Sequence, residues 1–384
     1  MTDSGWMAGP ARHDSLRVAV VGAGAIGCAA AAFLARAGHA VALWSPTARR
    51  VRREAAGRAT FRCSGAVEGE VQVALLADAA ALADFPVVLV CLPADAYGAV
   101  LGPLAGTWRS GQHVVVSGAL SLAPLWIEAA ARGRGQAVQV TGWGTAPTTA
   151  HFLADGTLHA NPLRQRIDIA SVGAVLESPG AEVCRALFGD RFVPSATLLA
   201  PALANINPIA HAAEVIPNLT RMDAGEAWSL FGCFTPVVGR LAEGLDAERL
   251  AIAAGFGLRL PTLRQHYARS YHVEEAPLHE MAAQIVRRGM SPNGPATLRH
   301  RYVLEDAPFG LAFLECLGRV AAVATPVLGA CLALLQQVYG RDFRRDNFLL
   351  DSLGVEAGGM RSLLTRCAAA DNAASLAPAL PLRR

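Results

Sequence analysis

Short runs of apolar residues alternate with longer helix-forming segments along the first half of the chain. The β-branched run RVAVV at 17–21 is followed by GAGAIG and by CAAAAFLARAG. This order predicts a strand, a tight turn and a helix that ends at Gly38. Further strands are predicted at 40–44, 71–75, 87–91 and 113–116. Strands that alternate with helices in this way indicate a parallel sheet covered by helices.

Three glycines in the turn after the first strand have the spacing of a dinucleotide-binding loop. Gly22 permits the tight turn, Gly24 lets the backbone approach a pyrophosphate, and Gly27 lets the helix pack closely on the strand. Residues 17–195 are therefore expected to form a Rossmann-type, doubly wound parallel sheet domain. The residues of this loop that are expected to contact the cofactor are Gly22, Gly24, Ala25, Ile26 and Gly27.

Two further segments bear on the cofactor. Pro93, in the loop LPADAY, follows a predicted strand at the carboxyl edge of the sheet, where a cofactor contact is expected unless the proline only ends the strand. The second strand is followed by SPTARRVRRE, so that Ser45 stands where NAD-binding proteins usually have a carboxylate. A hydroxyl and the guanidinium groups of Arg49 and Arg50 suit a 2′-phosphate. The sequence therefore favours NADPH over NADH.

The second half of the chain has few β-branched runs and predicts a mainly α-helical domain over residues 196–365. Residues 1–16 and 366–384 are expected to form flexible tails. Helices are predicted at 202–216, 223–257, 277–288, 307–323 and 326–339.

Composition narrows the class of partner. A net charge of +3, with no basic tail, gives no sign of nucleic-acid binding, and no apolar run is long enough to span a membrane. Without an apolar leader segment, the protein is expected to be cytoplasmic. Eight cysteines with no CxxC pair predict neither a metal site nor a disulfide framework. Small-molecule partners are expected, and a homodimer is left open.

The chain has no lysine, so all 34 basic residues are arginine. Any mechanism that requires a lysine is therefore excluded, including Schiff-base catalysis and the phosphate-binding loop of NTPases.

A histidine marks the start of the helical half, in the segment NINPIAHAAEVIPN at 205–218. Asn207 is predicted to be the N-cap of a short helix, Pro208 its first residue and Pro217 its stop. His211 lies in that helix. The pattern predicts the helix but assigns no chemistry to the histidine.

Two motifs behind the dinucleotide fold resemble those of the octopine/nopaline (opine) dehydrogenase family. The first is NPIAH at 207–211, and the second is RYVLEDAPFGL at 301–311, followed by GRVAAVATPVLGACLAL. The resemblance covers about residues 17–355. Other dehydrogenase families with this domain order, such as ketopantoate reductase, use a lysine at the reacting centre, which this chain lacks.

The resemblance implies a reaction and a set of site residues. Opine dehydrogenases join the amino group of an amino acid to a 2-oxo acid and reduce the resulting imine with hydride from a nicotinamide. The resemblance implies that His211 is the catalytic histidine and that Asp306 is its paired acid. It also implies that Arg301 holds a substrate carboxylate and that Asn207 contacts the substrate. The segment SGALSLAPLW departs from the family's glycine-rich turn ending in glutamate, so the amino-substrate contacts remain unassigned.

Other interpretations remain open. Asp306 could only cap a helix, and Arg301 with Glu305 could be an i,i+4 surface pair. The protein could reduce a preformed ketone or imine, or it could be a non-catalytic NADPH-binding sensor. The amino substrate could be arginine-like, small and neutral, or a larger amine.

Overall fold

The computed structural model describes residues 15–47, 51–54 and 57–370. Within these residues, twelve strands form one sheet. The strands are Arg17–Val21 (β1), Ala40–Trp44 (β2), Arg52–Glu54 (β3), Arg58–Gly65 (β4), Gly69–Leu75 (β5), Val87–Val90 (β6), His113–Val116 (β7), Gln139–Trp143 (β8), Ala150–Phe152 (β9), Leu158–Ala160 (β10), Ile167–Gly173 (β11) and Phe192–Pro194 (β12).

The centre of the sheet is parallel and confirms the predicted strands. Its strand order is β12-β11-β8-β7-β6-β1-β2-β5-β4-β10-β9, with β3 paired to β4. Strands β8, β7, β6, β1, β2 and β5 run parallel to one another. The chain turns from β1 to β2 in one direction and later places β6 on the other side of β1. This switch point opens a crevice beyond the carboxyl ends of β1 and β6, where open α/β sheets bind ligands.

The outer parts of the sheet differ from the expected all-parallel arrangement. Strand β4 pairs antiparallel with β3 and β5, β9 pairs antiparallel with β10, and β11 pairs antiparallel with β8. Strands β4, β8 and β11 were not among the predicted strands. Their polar residues interrupt the apolar runs on which the prediction depended, as in RATFRCSG of β4.

Sixteen α-helices lie within the described residues, twelve of them after β12. They are Ala25–Arg36 (α1), Tyr97–Leu104 (α2), Ala123–Arg132 (α3), Gly180–Phe188 (α4), Leu199–Ala204 (α5), Asn207–Val215 (α6), Leu219–Asp223 (α7), Pro236–Gly255 (α8), Leu263–Tyr271 (α9), Leu278–Arg287 (α10), Arg301–Leu304 (α11), Ala312–Val320 (α12), Pro326–Tyr339 (α13), Phe343–Asp346 (α14), Phe348–Leu353 (α15) and Val355–Cys367 (α16). A π-helical segment, Ala307–Leu311, precedes α12.

The helical half is confirmed, but several predicted boundaries are wrong. The helix predicted at 202–216 is split into α5 and α6 because the chain leaves helical geometry at Asn205. The helix predicted at 223–257 begins only at Pro236, after a Thr235 cap. A flexible tail was expected from residue 366, but α16 continues to Cys367 and Ala368 pairs with Thr197, and residues 371–384 lie outside the described part of the chain.

The two faces of the sheet are covered by different helices. On one face, α1 and α4 contribute to a hydrophobic cluster that also contains Val18, Val20 and Leu43. On the other, α2 and α3 share a single hydrophobic core with the helices that follow β12, so that Val90 and Leu317 belong to one cluster. Across residues 15–47, 51–54 and 57–370, the structure contains no helix with the length and hydrophobicity needed to cross a bilayer.

Candidate active site

The glycine turn after β1 has the geometry of a dinucleotide-binding loop. Gly22 has a φ of 112°, and a Cβ there would lie 2.4 Å from the carbonyl oxygen of Cys91. A Cβ on Gly27 would lie 1.9 Å from the carbonyl oxygen of Gly22. At Gly24, by contrast, a Cβ would meet no atom of the described residues within 4 Å. Two glycines therefore keep the loop tight, and the third leaves open space where a ligand can approach.

Helix α1 begins at this open space, and Gly24 is its N-cap, in extended geometry. Within the described part of the chain, no side chain caps its first turn. Its backbone N–H groups, including those of Ala25 and Ile26, suit a phosphate because they point out of the helix with the positive end of its dipole. The predicted loop residues thus fit the pyrophosphate of a dinucleotide.

An open cleft of about 560 Å³ lies beyond the carboxyl end of β2. It is lined by Ser45 and Arg53, together with the acids Glu54 and Asp78. Both acids already have partners: Glu54 pairs with Arg52 at 2.8 Å, and Asp78 accepts from the backbone of Ala80 at 2.9 Å. Arg49 and Arg50 lie outside the described residues.

The loop after β6 approaches the helical half of the protein. Pro93 is exposed and is the N-cap of a 3₁₀ turn, Ala94–Ala96. The backbone N–H of Ala94 donates to Oε1 of Glu305 at 3.0 Å. The cofactor side of the crevice is therefore hydrogen-bonded to the segment that carries Arg301 and Asp306.

His211 and Asp306 are brought into direct contact, although 95 residues separate them in sequence. Nδ1 of His211 lies 2.6 Å from Oδ2 of Asp306, and the two residues are only 8% and 2% exposed. Burial lowers the pKa of His211, and the charge and hydrogen bond of Asp306 oppose that shift. A neutral imidazole that donates from Nδ1 to Asp306 keeps Nε2 as a proton acceptor.

Tyr302 packs flat against the histidine. The two rings are stacked with centroids 3.5 Å apart and an interplanar angle of 12°. Burial and the charge of Glu214 raise the pKa of Tyr302 to about 12, so that the phenol stays neutral. The Asp306 hydrogen bond and this stacking together fix the orientation of the imidazole.

Arg301 lies beside this pair and is half-exposed. Its Nη1 donates to Oε2 of Glu305 at 3.0 Å. Burial opposes the charge of Arg301, but Glu305 and Asp306 outweigh that effect and raise its pKa. Nε and Nη2 have no hydrogen-bond partner in the described part of the chain, which leaves one edge of the guanidinium available to a carboxylate.

Two local interpretations of the sequence need correction. The Arg301–Glu305 contact is not a surface pair, because Glu305 is 6% exposed and also accepts from Ala94. Asp306 stands at the N-cap position of the π-helical segment, in helical geometry, but its side chain makes no capping hydrogen bond within the described residues and contacts His211 instead. A π-helical turn changes which side chains face one side of a helix, and such turns are frequent at functional sites.

The start of α6 also differs in detail from its prediction. Ile206 is the N-cap, and Asn207 is the first helical residue rather than the cap. The side chain of Asn205 accepts from the backbone N–H of Asn207 at 3.0 Å. Asn207 is half-buried and stands one turn before His211, so both lie on the same side of the helix.

The segment SGALSLAPLW holds the end of the sheet against the π-helical segment. Ser121 and Leu122 have left-handed backbone conformations, with φ values of 50° and 60°. Ser121 Oγ donates to the carbonyl oxygen of Phe309 at 2.6 Å and accepts from Nδ2 of Asn347 at 2.9 Å. These two hydrogen bonds satisfy the buried hydroxyl group of Ser121.

The sequence analysis gave no role in the site to three of its residues, which are the buried Glu214 and Glu305 and the half-buried Tyr302. Glu214 follows His211 by three residues and is the one acid of α6, which was an available signal, since a lone acid on a buried helix face is unusual. The contacts of Tyr302 and Glu305 depend on tertiary packing and had no signal of this kind.

Comparisons with known proteins agree with this geometry. The family model described as NAD/NADP octopine/nopaline dehydrogenase, alpha-helical domain, matches residues 194–339. The model of ketopantoate reductase PanE/ApbA matches residues 18–117. The first match covers His211, Arg301 and Asp306, and the second covers the glycine loop.

Whole-chain relatives extend these matches. An opine dehydrogenase of Arthrobacter sp. (strain 1C) is 30% identical, with 91% of this chain and 99% of that protein covered. The structure of octopine dehydrogenase with NADH and L-arginine has a TM-score of 0.75 at 15% identity, covering 91% of this chain and 98% of that one. Yersinopine dehydrogenase with NADP+ bound has a TM-score of 0.63 at 16% identity, covering 92% and 98%. The chain therefore belongs to the opine dehydrogenase family of NAD(P)-dependent oxidoreductases, which act on CH–NH bonds.

Proposed function

We propose that this protein joins the amino group of an amino acid, or of a related amine, to a 2-oxo acid and reduces the resulting imine, with NADPH preferred over NADH. The observation that carries the assignment of residues is the buried contact of 2.6 Å between His211 and Asp306 beside Arg301. The proposal also draws on family membership and on the matched octopine dehydrogenase, whose complexes contain L-arginine, agmatine or pyruvate.

The condensation requires proton transfers at two atoms of the substrates. The ammonium group of the amino substrate must lose a proton before its nitrogen can attack the carbonyl carbon. The carbonyl oxygen must then gain two protons, the one lost by the ammonium group and a second from the attacking nitrogen, so that it leaves as water when the C=N bond forms. A neutral His211 can accept the first proton at Nε2 and return it to the oxygen, while Asp306 stabilises the transient imidazolium. The nicotinamide supplies the hydride that reduces the imine carbon.

Arg301 and Asn207 would position the 2-oxo acid. The free edge of the Arg301 guanidinium can bind the substrate carboxylate, and its Nη1 bond to Glu305 fixes the plane of that edge. Asn207, one turn before His211, can donate from its amide to a substrate oxygen. Holding the carboxylate in this way keeps the carbonyl group beside His211.

The preference for NADPH rests on the residue at the end of β2. Ser45 lines the cleft there, and the two acids of that cleft are already engaged in hydrogen bonds. A 2′-phosphate in this cleft would meet the Ser45 hydroxyl and the Arg53 guanidinium. Arg49 and Arg50 follow within five residues of Ser45 in the sequence.

The decisive test is a screen of amino acids and amines against pyruvate and glyoxylate, in which NADPH absorbance is followed. Turnover that needs both an amine and a 2-oxo acid supports the proposal. Turnover of a ketone or preformed imine without added amine would replace it with a simple reductase. NADPH binding without turnover of any pair would indicate a sensor. His211→Ala is the matched negative control, since it should bind NADPH without turnover.

A further inference from the structure

A second buried carboxyl group lies on the same face of α6 as His211. Glu214 follows the histidine by three residues and is 3% exposed. Its Oε1 lies 3.4 Å from the hydroxyl of Tyr267, which is a long contact for a hydrogen bond. Its Oε2 has no hydrogen-bond partner in the described part of the chain. An acid with only a structural role in the core would have hydrogen-bond partners for both of its oxygens. Since Oε2 of Glu214 has none among the described residues, a structural role does not account for this residue.

Among the described residues, the surroundings of Glu214 contain negative charge and neutral phenols but no cation that pairs with it. The carboxylate of Asp306 acts on it from the segment before the π-helical turn. Helix α8 also packs along α6, but its buried Asp246 and Arg249 pair with each other at 2.7 Å. The other ionisable groups that interact electrostatically with Glu214 are phenols: Tyr267 and Tyr271 from α9, and Tyr302 from α11.

These contacts decide which form of Glu214 is stable. An ionised carboxylate in this position would be buried with one unpaired oxygen and close to a second carboxylate, which is unfavourable on both counts. Burial is the larger cause and Asp306 adds to it, and together they raise the pKa of Glu214 to about 8. The carboxyl is therefore protonated at neutral pH.

We propose that Glu214 is a positioning residue of the His211–Asp306 pair: it carries a proton in the active enzyme, and its ionisation adds negative charge beside the pair and changes proton exchange at His211. Its effect reaches the imidazole through Asp306 and through Tyr302, which is stacked on the ring. This inference rests on the proposed catalytic role of His211. It assigns to Glu214 no contact with substrate.

The first test is the pH profile of kcat, measured with both substrates saturating so that ionisation of the free amine does not contribute. The wild type should show an inflection near pH 8, where Glu214 ionises. Glu214→Gln, which keeps the volume but cannot ionise, should lose it. Tyr267→Phe should move it to higher pH, because the tyrosine hydrogen bond favours the ionised form. Glu226→Gln, at an exposed acid, is the control and should leave the inflection in place.

A second readout does not depend on activity. A carboxyl whose pKa is higher in the folded protein binds its proton more tightly there, so its stabilising contribution is lost as pH rises from about 4.5 to about 8. Between pH 4.5 and pH 8, the Tm of the wild type should therefore fall relative to that of Glu214→Gln. Above pH 8, the difference in Tm between the two proteins should stay constant. A constant difference in Tm, or an inflection that survives in Glu214→Gln, would overturn the inference.

The two proposals can fail separately. If His211→Ala retains turnover, the proposed function fails, while the Tm comparison still measures the ionisation of Glu214. If His211→Ala is inactive and Glu214→Gln keeps the alkaline inflection, only the role of Glu214 is refuted. If Glu214→Gln does not fold, the shift of the inflection in Tyr267→Phe carries the test, and no shift there would refute the inference.

Discussion

Replacement of Asp306 by asparagine tests the centre of the proposed mechanism with little change of shape. Asp306 accepts from Nδ1 of His211 at 2.6 Å in a buried environment, the geometry of a charge-assisted hydrogen bond. Such bonds contribute about 1.5–3 kcal/mol, and about 1.4 kcal/mol corresponds to tenfold in rate. Loss of the charge alone should therefore lower turnover by roughly 10- to 150-fold.

A second effect adds to the first. The amide that replaces the carboxylate can donate to Nδ1 of His211, which favours the tautomer with its proton on Nε2 and removes the basic nitrogen. We therefore expect Asp306→Asn to lower kcat by about 10²- to 10³-fold, within the range of a positioned acid or base. Because the charge of Asp306 raises the pKa of His211, any titration of the histidine in the kcat profile should also move to lower pH.

The assay compares kcat with both substrates saturating, and NADPH affinity is measured by fluorescence titration. NADPH affinity should change little, because Asp306 is not part of the glycine loop. Asp351→Asn makes the same substitution at an exposed acid of α15 and serves as the control. Adding His211→Ala to Asp306→Asn should cost scarcely more than His211→Ala alone, since residues that act as a unit are non-additive. A folded Asp306→Asn enzyme within about threefold of wild-type turnover would refute the reasoning, since a positioned acid or base contributes far more than that.

Three further predictions concern the substrate and the cofactor. Arg301→Ala should raise the KM for the 2-oxo acid by roughly 10- to 150-fold, because a charge-assisted contact is lost. NADPH affinity is the control and should not change, and an unchanged KM would show that Arg301 does not bind the substrate. Ser45→Asp should reverse the preference for NADPH, and a variant lacking Arg49 and Arg50 should lose much of it; tighter binding of NADH by the wild type would contradict the assignment. Gly24→Ala should keep the wild-type Tm but weaken NADPH binding at least tenfold, whereas Gly27→Ala should lower stability by about 1–3 kcal/mol, because its Cβ would meet the Gly22 carbonyl. Equal effects of the two glycine variants in thermal melts would show that the loop geometry is wrong.

The elements that were predicted well are those with local signals. The run RVAVV and the glycine turn identify β1 and the start of α1, and the Thr-Pro start of α13 at Thr325 and Pro326 gives its boundary correctly. The antiparallel strands at the sheet margins depend on pairing between distant segments. Strand β8, for example, pairs with β11 through residues about thirty positions apart, and nothing in QVTGW specifies that partner.

The residues of the site also divide into those with a local sequence signal and those whose contacts depend on tertiary packing. The helix-start signals at Asn207 and Pro208 placed His211 on a helix, and only the family resemblance joined it to Asp306. The buried position of Glu305 could not be predicted, because an acid four residues after an arginine is usually a surface pair. Its partner, the backbone N–H of Ala94, lies 211 residues away in sequence. The oxygen of Glu214 that lacks a partner is likewise a property of packing and has no counterpart in the sequence pattern.

The shared hydrophobic core has a consequence for how the protein folds. Because α2, α3 and the helices after β12 pack into one cluster, separating the chain near residue 195 would expose apolar surface on both pieces. The nucleotide-binding half should therefore not behave as an independent folding unit, as a domain joined by a linker would. Denaturation should proceed as one cooperative transition, and ligand binding at the glycine loop should protect the helices that follow β12 from proteolysis.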